Sequence, residues 1–170
     1  QRTLDCLQDY VYNGGILLLS GICPSEICPD FLGIADKGIQ ISKKAMGETC
    51  FLPIEQAAVP VCRQWKTVRP AKDTEVWATY LKDRSPQHDD TRQAVVTFKR
   101  QGLGGVVAVH GDLFYNYYKG HYPLLRSFIG SLIKRLAIDW TVELTAPAWV
   151  EMVVRKKDDS LLVNLINRGS

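Results

Sequence analysis

The sequence predicts an α/β fold: an open sheet covered by helices and followed by short antiparallel strands. Three observations carry this expectation. Residues 101–137 (QGLGGVVAVHGDLFYNYYKGHYPLLRSFIGSLIKRLA) hold a glycine-led apolar strand, a polar switch at His110-Gly111-Asp112, an aromatic loop and an amphipathic helix. Strand, loop and helix in that order form the unit from which open α/β sheets are built, with ligands at the C-terminal strand ends. A second apolar run, ILLL at 16–19, follows helical periodicity directly. After Ala137 the pattern turns to strands without intervening helices.

Along the chain, Leu4, Leu7, Tyr10 and Val11 recur at helical spacing, and Asn13-Gly14-Gly15 is a helix stop. The run 16–19 then reads as a strand buried on both faces. A helix leading straight into a buried strand is half of a βαβ unit whose first strand is absent, so the chain is expected either to be part of a longer protein or to lack a strand that its relatives carry. Residues 20–29 read as a loop punctuated by Pro24 and Pro29, and 30–34 as at most one helical turn. Strand pieces are expected at 38–42, 48–52 and 64–68, and a strand at 74–81. A polar turn fills 82–92. Strands at 93–99 and 105–109 are joined by a glycine hairpin.

The helix after Pro123 is the strongest element. Leu124, Leu125, Phe128, Ile129, Leu132, Ile133 and Leu136 form one stripe. Burying them stabilises by on the order of 10–20 kcal/mol gross, so this helix is expected to lie on a sheet. Strands then follow at 140–144, 150–155 and 161–166. The chain thus divides into an α/β domain at 1–138 and β strands at 139–170. Those strands either pack on the first part or begin a further β domain.

Composition narrows the function classes. With 46% apolar and 23% charged residues, the chain has material for an ordinary globular core. A net charge of +3, spread over scattered Lys and Arg, argues against a nucleic-acid partner. No apolar run reaches the ~20 residues needed to span a bilayer, so no membrane partner is expected. Five cysteines (Cys6, Cys23, Cys28, Cys50 and Cys62) at irregular spacing do not make a disulfide framework. Buried reduced thiols are expected, which favours a cytoplasmic setting. Cys23-x4-Cys28 lacks a second pair at ligand spacing, so neither a metal nor a cofactor is expected.

One constellation could carry chemistry. Cys23 follows the first buried strand, and His110 and Asp112 follow another. If the strands are neighbours, His110 could deprotonate the thiol and Asp112 orient the imidazole. Pro24 weakens this nucleophile turn, because it removes an N–H that an oxyanion hole would use. The simpler reading is a non-catalytic strand end, with Cys23 a small apolar filler. The aromatic segment offers Phe114, Tyr115, Tyr117, Tyr118, His121 and Tyr122 as an interface or a sugar contact, against a loop that merely anchors the next helix. Trp65, Trp77, Trp140 and Trp149 are scattered and suit packing. Glu26, Asp30, Glu48, Glu143 and Glu151 form no recognisable carboxylate pair for glycoside hydrolysis, and His88 belongs to the polar turn.

The order YVYNGGILLLSG, then TRQAVVTFKRQGLGGVVAVHGDLFYNYYKGHYPLLRSFIGSLIKRLA, then VELTAPAWVEMVVRKKDDSLLVNLINRG resembles the β-galactosidase trimerisation-type domain. The telling parts are the glycine-led strand with G-D after it, the H-x-P-L-x-R lead-in to the helix, and the closing L-L-V-N-L-I-N. The resemblance implies a flavodoxin-like, class I glutamine-amidotransferase-like α/β domain. It implies a non-catalytic part beside a (β/α)8 barrel that carries the catalytic carboxylates, with oligomer contacts in some members. In related amidotransferases an early strand ends in a nucleophilic Cys and a later one in His-Pro-Glu. Here His110-Gly111-Asp112 carries Gly for Pro and Asp for Glu. The expected function is therefore an accessory or oligomerisation domain of a glycoside-hydrolase-like protein, with a catalytic barrel as partner. A small Cys-His-Asp enzyme and a carbohydrate-binding module are the alternatives.

Overall fold

The computed structural model describes residues 2–42, 50–54, 57–81, 94–138, 140–147 and 149–169. The chain divides into two units, 1–130 and 131–170, with the division falling inside one helix.

The first unit is built on a six-stranded mixed sheet. Its strands are β1 (Ile16–Ser20), β2 (Ile34–Ser42), β5 (Trp65–Pro70), β6 (Glu75–Thr79), β7 (Ala94–Gln101) and β8 (Gly104–Val109). They run in the order β1-β8-β7-β5-β2, with β6 also on β7. β1 and β8 are parallel, from Ile16 opposite Gly105 to Ser20 opposite Val109. The pairs β7–β8, β5–β7, β6–β7 and β2–β5 are antiparallel. A small ribbon of β3 (Cys50–Ile54) and β4 (Ala57–Val61) stands apart from this sheet.

The centre of the sheet follows from its sequence. All six residues of β8 are buried, as are the first five of β7, as expected of near-continuous apolar runs covered on both faces. Helix α1 (Arg2–Tyr12) delivers Val11 to a core shared with Phe31, Leu32, Ile34, Val68, Ala94, Val106 and Ala108. Gly104 explains the glycine-led strand: a Cβ there would lie 2.3 Å from the Val11 carbonyl oxygen and 2.1 Å from that of Gly15. Only glycine lets β8 start against the end of α1. The hairpin between β7 and β8 turns through Gly102, whose φ is +57°.

Several expectations are corrected. β1 is half-buried along its whole length and not sealed on both faces. The loop at 20–29 contains a short helix, α2 (Cys23–Ile27), with Pro24 in its first turn, where its missing N–H costs nothing. The aromatic loop is helix α3 (Leu113–Gly120). β4 had no counterpart in the reading of the sequence, and 140–144 is not a strand. The polar turn at 82–92, with His88, and the start of the 48–52 strand with Glu48 lie outside the described residues. Of the cysteines expected to be buried, Cys6, Cys23 and Cys62 are exposed and Cys28 is half-buried; all four are free. Cys6 faces outward on α1, Cys23 opens α2, and Cys62 sits in a loop.

Helix α4 (Pro123–Arg135) is the predicted amphipathic helix, with Leu125, Phe128 and Leu132 buried on one stripe. The second unit contains the antiparallel hairpin of β9 (Val150–Lys157) and β10 (Ser160–Asn167), paired from Val150 opposite Asn167 to Lys157 opposite Ser160. Every residue of β10 is exposed. Among the described residues, no helix is long and apolar enough to cross a membrane.

Candidate functional site

The parallel pair β1–β8 places two strand ends side by side, which the sequence reading required for its catalytic constellation. The Gly21 N–H donates to the Val109 carbonyl at 3.1 Å, so the chains leave the sheet together. Ser20 then ties them. Its hydroxyl donates to the Gly111 carbonyl at 2.7 Å and accepts the Leu113 N–H at 3.2 Å.

His110 continues the inward face of Val106 and Ala108 and is 1% exposed. Its Nε2 is hydrogen-bonded to Thr97 Oγ1 at 3.0 Å. Burial, and then the nearby Lys66 ammonium, push its pKa down from 6.5 to about 4, so the ring is neutral near pH 7. Lys66 is itself nearly buried on β5 and reaches Glu26 of α2 at 3.4 Å. Its backbone N–H donates to the His110 carbonyl at 2.8 Å. The imidazole is therefore held inside a network spanning β5, β7 and β8.

Cys23 faces solvent at the first position of α2. Asp112 is half-buried at the N-cap of α3 without a side-chain capping bond. Gly111 bridges to Trp65, and a Cβ at Gly111 would lie 2.2 Å from the Trp65 indole. Glycine is thus required by the fully buried Trp65 behind it. The carboxylates are dispersed: Glu26 pairs with Lys66, Glu151 with Arg168, and Glu143 lies outside any strand. Among the described residues, no group of three or more His, Cys, Asp or Glu is placed to hold a metal ion.

The aromatic residues form a second constellation on α3. Leu113 and Asn116 face inward, and Phe114, Tyr118 and, beyond the helix, His121 and Tyr122 face solvent. Asn116 is a clamp. Its Nδ2 donates to the carbonyls of Cys62 (3.0 Å) and Asp112 (2.8 Å), and its Oδ1 accepts the Cys62 N–H at 2.8 Å. The Arg63 guanidinium carbon lies 3.6 Å from the Tyr115 ring centre. Trp77 stacks on Phe98, whereas Trp140 and Trp149 are exposed. Nothing in the sequence marks Ser20, Lys66, Thr97 or Arg63 as part of a site, and Asn116 stands out there only as the lone amide of the aromatic segment.

No protein-family model matches the sequence, and no curated protein sequence matches it. Solved structures do match the fold. Gan42B, a GH42 β-galactosidase from G. stearothermophilus, aligns with a TM-score of 0.66 at 14% identity, over 98% of this chain and 24% of its own. The β-galactosidase from Bacillus circulans sp. alkalophilus aligns at 0.62 and 18% identity, over 96% and 24%. That from Rahnella sp. R3 aligns at 0.59 and 18%, over 96% and 25%. The chain spans about a quarter of the length of these enzymes and has the fold of a region within them.

Proposed function

We propose that this chain is a non-catalytic accessory domain of a larger glycoside-hydrolase-like protein, working beside a catalytic barrel and contributing to its assembly. The observation that carries the reading is the coverage: nearly the whole chain aligns with only about a quarter of each β-galactosidase. The interior chemistry supports it, because the one imidazole at the strand ends is sealed and bonded to Thr97. On this reading, β1, β8 and their helices are the remnant of an amidotransferase-like, flavodoxin-like sheet whose site has been filled by packing. Gly111, against the Trp65 indole, marks that filling.

The adjacency of β1 and β8 is the one observation that favours a Cys23-His110-Asp112 enzyme. An exposed thiol and a sealed imidazole are poor partners for proton transfer to a substrate, so this is the second reading. Assaying the full coding sequence with and without residues 1–170, and residues 1–170 alone, against chromogenic glycosides and against amide and ester substrates separates the two. Activity is expected only in products containing a flanking catalytic region, with deletion altering assembly or solubility. Rapid alkylation of Cys23 at neutral pH that His110→Ala suppresses would move the balance to the enzyme.

A further inference from the structure

We infer that the outer face of α3, with Arg63, is a binding site for a carboxylate-bearing carbohydrate, a glycan of uronic-acid type. The choice of a sugar rests on the accessory-domain reading; the carboxylate rests on geometry. The loop carrying Arg63 is fastened on both sides, by Asn116 to both backbone groups of Cys62 and by the Asp112 N–H to the Gln64 carbonyl at 3.2 Å. Between those anchors Arg63 takes a φ of +70°, unusual for a side chain of this size, and sets its guanidinium 3.6 Å from the Tyr115 ring centre. A guanidinium at stacking distance keeps its edge N–H groups for a planar acceptor, and stacking restricts the motion that binding would otherwise have to restrict.

Lys119 adds a second cation, 5.9 Å from the Tyr115 ring centre and 5.5 Å from that of Tyr118. Neither Arg63 nor Lys119 forms an ion pair among the described residues. Two cations gathered at one ring without an anion call for an anionic ligand. On the same helix and just beyond it, Phe114, Tyr118 and Tyr122 are 43%, 67% and 43% exposed, and His121 stands edge-on to Tyr118. Such rings suit the apolar faces of sugars. Size selects against a protein partner: an eight-residue helix is about 12 Å long and about 10 Å across. Its outer face falls far short of the roughly 800 Å² that each partner contributes to a standard protein interface. A few sugar rings fit it.

The test is affinity electrophoresis and calorimetry of the full chain with polygalacturonate, its methyl ester, neutral galactan, poly-L-glutamate and oligouridylate. Polygalacturonate is expected to bind, weakening with added salt, and the methyl ester to bind about tenfold more weakly or worse. Arg63→Gln, Arg63→Lys and Tyr118→Ala are each expected to lose about tenfold, with unchanged melting temperature, since both positions are exposed. Absence of polygalacturonate binding, or binding unchanged in Arg63→Gln, overturns the site. Equal binding of galactan or the ester overturns the carboxylate, and equal binding of poly-L-glutamate or oligouridylate overturns the sugar. None of these outcomes touches the accessory role, which is judged by where glycosidase activity resides.

Discussion

His110 shows how one side chain can sit where chemistry is expected and serve packing. Its ring nitrogen is bonded to Thr97, its carbonyl accepts from Lys66, and the next residue, Gly111, packs against Trp65. Two causes lower its pKa, desolvation first and the Lys66 charge second, and both oppose a proton in the folded state. The unfolded chain takes up that proton near pH 6.5, whereas the folded chain resists it until about 4. Stability from this group is therefore complete above about pH 6.5 and declines as pH falls toward about 4, where it levels off. The size of the effect is about 3 kcal/mol. Urea denaturation at pH 7 and pH 4.5 should show a loss of that order in the parent chain, and a clearly smaller one in His110→Leu. Equal losses in both proteins would mean that His110 is not the titrating group.

At the scale of elements, legibility followed how far each segment's signal depended on its own residues. The helix α4 and the strands β7 and β8 carry long unbroken patterns, and all of them stand in the structure. α3 is not legible in the sequence because Phe, Tyr and Asn are indifferent helix formers, and its stability comes from Leu113 and Asn116 facing inward. β4 is hidden in the sequence because AAVPV contains a proline, which a short edge ribbon tolerates. The site was less legible still. Cys23, His110 and Asp112 follow two strands, β1 and β8, that pair in parallel. What decides their behaviour lies in Thr97, Lys66 and Trp65, brought in from other strands by antiparallel pairing. The α4 stripe makes the sharpest element-level forecast. Leu132 is 3% exposed, so Leu132→Asp buries an unpaired carboxylate and should prevent recovery of soluble folded protein. Ser127→Asp, on the exposed side of the same helix, should shift stability by less than about 0.5 kcal/mol. A soluble, cooperatively melting Leu132→Asp protein would show that this stripe of α4 is not needed for folding.

Across the whole molecule, the two units differ in how their strands are supported. In the first, β7 has neighbours on both edges and buried residues on both faces. In the second, β9 and β10 pair with each other alone among the described strands, and β10 is exposed throughout. Their register puts Leu161, Val163, Leu165, Val154, Met152 and Val150 on one face, with Lys156 and Asn167 at its two ends, a surface more apolar than water-facing strands usually present. A two-stranded hairpin is at best marginally stable in water without a third strand or a covering element. The polar ladder is intact, yet little apolar burial opposes its opening. Amide exchange should therefore separate the units. At pH 7 and 25 °C, peptides spanning 150–167 should exchange within seconds to minutes, while those spanning 94–109 keep protection close to that of global unfolding. Within the hairpin, protection should rise only when the apolar face is covered, and Leu165→Lys should leave the exchange of 94–109 unchanged. Equal protection of the two segments in the isolated chain would show that β9 and β10 already have a cover, and that the second unit is stabilised to the same degree as the first.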